Sequence, residues 1–300
     1  MHSFLSRTAE ITGNGQGINV SFSNATRNYS RLRIATMPNK PITVTINKYT
    51  PAGSSSMEWF QDIALTSDEK GNAYLYGNFV TNSIVNVEYG GALLATHHFY
   101  EVTGNAKSYA LDATVVLLAD EGITYDQIVE DVKKELDAGK TYINLILAPD
   151  ADEETLDAIH IGLQDARYGS INLTLIGCKK IPSRGFMHFD MLKSIALPDV
   201  TEIEERAFSD CARLQKVLLG NLTKVYGKVN NNGIFDGLDT RFIDLVLSKD
   251  QKVMNGAENE EGRYCWTADI IKDYALSDKH VSKNFLGREF KSITCRYKFE

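Results

Sequence analysis

Leu192-Lys193-Ser194-Ile195-Ala196-Leu197 is followed, 22 residues on, by Leu214-Gln215-Lys216-Val217-Leu218-Leu219. Both read L-x-x-[IV]-x-L. The same offset carries Ile181 to Ile203 to Val225, and Phe186 to Phe208. Alternation of branched apolar residues with small or polar ones over six positions is the pattern of a half-buried strand. Two strands of one pattern at one offset, with matching residues in the return segments, describe a unit that repeats.

Working outward, more strands of this type appear. Leu173-Thr174-Leu175 lies 22 residues before the Ile195 strand, and Leu145-Ile146-Leu147 lies 28 before that. Phe242-Ile243-Asp244-Leu245-Val246-Leu247 lies 28 after the Val217 strand, and Phe290-Lys291-Ser292-Ile293-Thr294-Cys295 closes the series. A period in the twenties with a short x-L-x-L strand predicts a leucine-rich-repeat solenoid. Each unit buries its apolar edge only against its neighbours. Phe186 and Phe208 are expected to fill the return corners.

The stretch Leu192–Leu214, with Leu197-Pro198, Ile203, Ala207-Phe208 and Cys211 at their spacings, resembles the BspA-like leucine-rich-repeat family. The match is full over that repeat, good over the preceding Ile181–Phe186 segment, and degraded after Gly227, where an Asn-rich loop precedes Phe235. It spans about residues 142–250. The resemblance implies an exported bacterial protein, often lipid-anchored at the cell surface, that binds other molecules. The opening Met1–Arg7 lacks the apolar core of a signal peptide. On the resemblance, the chain is then expected to be a mature form, held at the cell surface or outer membrane.

Residues 1–113 alternate with period two at Ile18–Phe22, Leu32–Ile34, Ile42–Ile46, Ala73–Tyr76 and Ile84–Tyr89, with Gly, Pro and Asn turns between. This predicts an all-β sandwich, Ig-like or similar, as a first domain. Residues 114–300 form the predicted repeat domain: a helical cap over 114–169, repeats over 170–250, and an irregular C-terminal cap over 251–300. In the helical cap, Thr124 and Gln127 make a capping-box pattern, followed by Ile128, Val132 and Leu136 on one face and a stop at Gly139. A second helix opens on Asp150–Glu154. In the C-terminal cap, Trp266, Ile270, Ile271, Tyr274, Leu276, Phe285 and Leu286 are read as helical turns covering an open end. The expected fold class is two-domain α+β.

Composition narrows the function. The 300-residue chain has net charge −7, with 32 basic and 39 acidic side chains. An acidic chain disfavours nucleic-acid binding, which depends on clustered Lys and Arg. No apolar run reaches the length of a transmembrane helix. The charge is concentrated: residues 114–169 hold thirteen acidic against four basic side chains.

Chemistry-bearing patterns read as structure. Gly13-Asn14-Gly15-Gln16-Gly17 precedes a β pattern rather than linking strand to helix, so it is a turn and not a dinucleotide loop. His97 and His98, with Glu101, point to opposite faces of a strand. Asp150, Asp152, Glu153, Glu154 and Asp157 lack calcium-loop spacing and suit a helix start. Cys178 and Cys211 suit packing, and Cys265 and Cys295 are available to pair in an oxidising compartment. Trp59-Phe60 and the Tyr74, Tyr76 pair are expected in the core or in cross-strand pairs. No catalytic, metal or cofactor residue is assigned.

Binding is left, and the outward positions of the strands supply the face. One column reads Asn144, Asn172, Ser194, Lys216, Asp244, Ser292. The other reads Ile146, Thr174, Ala196, Leu218, Val246, Thr294. The candidate binding residues are Asn144, Asn172, Thr174, Ser194, Lys216 and Asp244. The expected function is a non-enzymatic adhesion protein whose repeat face meets a host or bacterial surface protein. A glycan-capturing accessory protein is the alternative, and an enzyme the remote one.

Overall fold

A computed structural model of the chain describes residues 29–102, 106–119, 122–229 and 231–296. The Gly13–Gly17 turn and the Ile18–Phe22 strand of the sequence reading lie outside them. Contacts divide the chain into two compact units: residues up to Val87 with Thr96–Asp112, and Glu88–Ala95 with Ala113 onward. The β-turn segment Glu88–Ala95 thus belongs with the second unit.

The first unit is built from β1 (Ser30–Ala35), β2 (Pro41–Pro51), β3 (Glu58–Thr66), β4 (Asn72–Phe79), β5 (Ser83–Tyr89), β6 (Ala92–Phe99) and β7 (Ser108–Asp112). Period-two patterning decides which side chains turn inward: Leu32, Ile34, Val44, Ile46, Leu75 and Val85 are all buried. The strands run β6-β5-β2-β4-β1-β7, with β3 paired to β2. β2 is long enough to pair with β3 over most of its length and to meet β4 at Tyr49–Pro51. Phe79 stacks on Phe99 with ring centroids 4.7 Å apart, and Tyr109 stands edge-on to both.

The second unit begins with β8 (Val116–Leu117), α1 (Tyr125–Asp137), β9 (Tyr142–Ile146), α2 (Glu153–Leu163) and β10 (Ile171–Ile176). The capping box is formed: Thr124 accepts from Gln127 N, and the Gln127 side chain accepts from Thr124 N. α1 and α2 are crossovers between parallel strands. They lie close enough that a Cβ on Gly162 would meet Val132 at 2.7 Å.

The remainder comprises β11 (Lys180–Ile181), β12 (Leu192–Leu197), β13 (Glu202–Ile203), β14 (Lys216–Leu219), β15 (Lys224–Tyr226), β16 (Asp244–Ser248), β17 (Lys252–Glu258) and β18 (Tyr264–Asp273). It ends with α3 (Asp278–Val281), β19 (Asn284–Phe285), β20 (Arg288–Glu289) and β21 (Ser292–Arg296). A seven-stranded parallel sheet runs β21-β16-β14-β12-β10-β9-β8, and a five-stranded sheet runs β11-β13-β15-β18-β17.

The 22-residue offset is a spatial register: Ile195 pairs with Val217, and Ile181 with Ile203 and then Val225. The return corners follow it too. Arg184 and Arg206 take left-handed φ of 61° and 57°, as do His188 and Asp210 at 64° and 57°. That conformation costs an L-residue roughly 1–2 kcal/mol. It is offset by backbone ladders one repeat apart, such as Arg184 N to Glu205 O at 2.9 Å and Phe186 N to Ala207 O at 2.8 Å. Inside the corners Phe186, Phe208, Phe235 and Phe290 form a continuous buried column, with centroids 5.5, 5.3 and 5.5 Å apart.

The expected fold class is nevertheless corrected. The two-domain α+β arrangement of a β-sandwich and a leucine-rich-repeat solenoid with a helical N-terminal cap and an irregular C-terminal cap does not hold. The described residues are mostly β, 45% strand and 13% helical, in several sheets of which one is nearly barrel-shaped. The helices do not cap a stack, because β8 enters the parallel sheet before α1 begins. The C-terminal region opens with a hairpin, β17–β18, whose second strand pairs antiparallel with β15; of the residues expected in helical turns, Tyr274 and Leu276 do lie in one, a single 3-10 turn over Tyr274–Leu276, while Trp266, Ile270 and Ile271 are on β18. Its apolar spacing looked helical because β18 breaks its alternation: Lys252 pairs with Asp273 but Met254 with Ala268, so residues 269–272 loop out. The first unit's strands form one hydrogen-bonded network instead of two facing sheets.

Candidate functional site

The outward face of the parallel sheet carries two rows of side chains, since residues two apart on a strand share a face. Register assigns them. Tyr142, Asn172, Ser194, Lys216, Asp244 and Ser292 stand side by side on successive strands. In-register neighbours are about 4.8 Å apart, the spacing between strands. The second row is Asn144, Thr174, Ala196, Leu218, Val246 and Thr294.

Asn144 is therefore out of its expected place. β9 pairs with β10 at an offset of 30, Ile143 opposite Leu173, and not at 28. A two-residue shift keeps the side chain on the same face but moves it one row along. In that row Asn144 is 2% exposed, and its amide donates to Leu94 O at 3.0 Å and Thr114 O at 3.2 Å. It pins the Glu88–Ala95 turn to the sheet and is closed to a ligand. Tyr142 takes the row position expected for Asn144.

The other five candidates come together. Asn172, Thr174, Ser194, Lys216 and Asp244 line one open groove of about 270 Å³. Gly91 and Leu93 of the Glu88–Ala95 turn, Tyr142, Ile195, Ala196 and Leu218 complete its walls, with Lys193 and Gln215 at the strand starts. Thr174 is 2% exposed and forms floor.

The polar row is internally organised. Ser194 Oγ donates to Asn172 Oδ1 at 2.7 Å, and Asn172 Nδ2 donates to Thr141 O at 3.3 Å. Asp244 accepts from Ser292 Oγ at 2.6 Å and from Lys291 Nζ at 2.8 Å. Burial pushes the Asp244 carboxyl up, but Lys291 and Ser292 outweigh it and hold it below the usual carboxylate range. Burial pushes the Tyr142 hydroxyl up.

Sequence reasoning missed Lys193, Gln215, Leu93 and Tyr142. Lys193 and Gln215 sit next to the row in sequence, a signal that was present. Leu93 is far from it in sequence, and only the folded turn brings it in.

Other sequence candidates fall elsewhere. His97 packs edge-on to Phe99 at 4.5 Å and His98 against Tyr100 at 3.9 Å; burial, then His98, pulls the His97 pKa down. Asp152 is the N-cap of α2, accepting from Thr155 N at 2.9 Å, which holds its carboxyl low. Asp157 accepts from the Tyr125 hydroxyl at 2.7 Å. All four cysteines are free thiols. Trp59 and Phe60, expected in the core or in cross-strand pairs, are 56% and 81% exposed. β3 is an edge strand and its outer face is left open. Tyr74 and Tyr76 do form a stacked pair at 6.4 Å. No helix among the described residues is long and apolar enough to cross a membrane.

No family model matches the chain, and neither does any curated protein or solved structure.

Proposed function

We propose that the protein is a non-enzymatic binding protein, an adhesion component whose protein partner docks on the groove-bearing face of the parallel sheet. The observation that carries this reading is the groove itself. Five residues from four adjacent strands line it, beside a turn that Asn144 pins in place. A preformed concavity with a few convergent polar groups and apolar walls is the usual form of a binding site. The pairing of its polar groups favours docking over chemistry. Ser194 donates to an amide oxygen rather than to a base, and Asp244 is held ionised rather than tuned toward neutral pH.

The reading carries the expectation of an exported, surface-held protein. Surface biotinylation of producing cells checks that separately.

The test is a binding screen of the full chain against paired arrays of extracellular-matrix proteins and glycans. Ser194→Trp fills the groove; Trp59→Ala removes the exposed aromatic of β3. A protein hit lost in Ser194→Trp and kept in Trp59→Ala supports the reading. The glycan alternative has its own observation, the exposed Trp59 and Phe60. A glycan hit lost in Trp59→Ala moves the site to the first unit and refutes the groove.

A further inference from the structure

Among the described residues, β3 pairs with β2 alone and leaves its other edge open. None of its nine residues is buried, whereas β1, β2 and β4 to β7 each bury at least one. The register with β2 sorts its side chains. Ile42, Val44 and Ile46 are buried and stand opposite Leu65, Ile63 and Gln61. Directly opposite residues share a face of the sheet. The buried row of β2 therefore runs on into Leu65, Ile63, Gln61 and Trp59, where it is only half-buried or exposed. The left-handed φ of 51° at Phe60 leaves this register intact, with Gln61 opposite Ile46 on one side and Trp59 opposite Lys48 on the other.

An edge strand presents backbone N–H and C=O groups that form a template for another strand. Proteins commonly blunt such edges with Lys or Pro. Glu58–Thr66 contains neither.

The sequence of β3 selects the occupant. Laid antiparallel on a second copy of itself with Gln61 opposite Gln61, the strand matches Trp59 with Ile63 and Met57 with Leu65, each twice about the axis. Odd positions meet odd positions, so the apolar row of one copy continues into that of the other. The carboxylates stay apart, with Asp62 opposite Phe60 and Glu58 opposite Ala64. Centring the pair one residue either way sets Asp62 against Asp62 or Glu58 against Asp62. Like charges directly opposite are destabilising.

We propose that β3 is a self-association edge, through which two copies of this chain join as antiparallel strands and cover Met57, Trp59, Ile63 and Leu65. The interface is independent of the groove, which lies in the second unit. Nine residues a side are fewer than the roughly 20–30 of a standard interface, so the dimer is expected to be weak and to grow with concentration.

Sedimentation equilibrium of the full chain reads the association, with a reversible monomer–dimer equilibrium as the expected result. Gln61→Lys and Gln61→Glu each set like charges opposite one another across the axis, and each is expected to weaken dimerisation about fivefold. A one-to-one mixture of the two variants sets Lys against Glu and is expected to restore it. A second measurement uses the unmodified chain: amide hydrogen exchange over 57–66 is expected to slow as concentration rises. A chain that stays monomeric up to its solubility limit, or exchange over 57–66 that ignores concentration, overturns the inference. So does a dimer that both single variants leave unchanged, or a loss that mixing fails to restore between variants of native circular dichroism.

Discussion

Replacing Phe208 by alanine removes the centre of the buried aromatic column. Phe208 is fully buried between Phe186, parallel within 3° at 5.5 Å, and Phe235, inclined 19° at 5.3 Å. Losing the burial of a phenyl group costs about 2–3 kcal/mol. The vacated space, about 100 Å³ before relaxation, adds about 2 kcal/mol at the usual cost per unit of cavity volume. Backbone ladders fix the corner on both sides, Phe186 N to Ala207 O and Phe208 N to Ile234 O at 2.8 Å each, so the walls collapse only partly. The expected loss is about 3–5 kcal/mol, the range for buried aromatic truncation. Urea unfolding of the full chain, followed by circular dichroism, reads it as a fall in midpoint at constant slope. Phe242→Ala, at a 71% exposed ring, serves as control and should shift stability by less than about 0.5 kcal/mol. A Phe208→Ala change under about 1 kcal/mol would mean that the column does not hold the second unit together.

Three further outcomes test other parts of the second unit. Gln251 is fully buried, accepts from Leu222 N at 2.8 Å, and donates to Leu222 O at 3.0 Å; Gln251→Leu strands both backbone groups and should cost about 2–4 kcal/mol in the same melt. Burial raises the pKa of Glu204, but hydrogen bonds from Arg263 at 2.7 Å and Lys180 at 3.0 Å outweigh this and lower it below its unfolded value of 4.5. A depressed carboxylate contributes stability that is present above the unfolded value and is lost as pH falls below 4.5 through the native value; Glu204→Gln should flatten acid unfolding in that window, and an unchanged profile would reject the coupling. Burial pushes the Cys178 thiol up to about 11 and the Cys211 thiol up to about 12. Iodoacetamide at pH 8 should therefore leave both unmodified in the native protein and label both in urea, and native labelling by mass spectrometry would contradict the packing.

The apolar pattern of the chain alone determined the local register of the second unit. Ile195 opposite Val217, Ile181 opposite Ile203, the Phe186–Phe208 pair and the Thr124 capping box all follow from short-range spacing, because constant repeat length leaves one way to align identical inward rows. Where the spacing changes, that logic runs out. Ile143, Leu145 and Leu147 offer two equivalent alignments against Leu173, and the path through α2 selects the one that buries Asn144. The loop-out at 269–272 hides a strand as a helix-like pattern, since alternation is the only signal a strand carries. The assembly into several sheets and the recruitment of the Glu88–Ala95 turn depend on contacts between distant residues. So does the groove: its polar row is written in the 22-residue spacing, but its wall at Leu93 exists only once the turn is pinned and the strands are side by side. Side-chain spacing along one strand is a property of the chain, whereas a concavity is a property of surfaces that only long-range packing brings together.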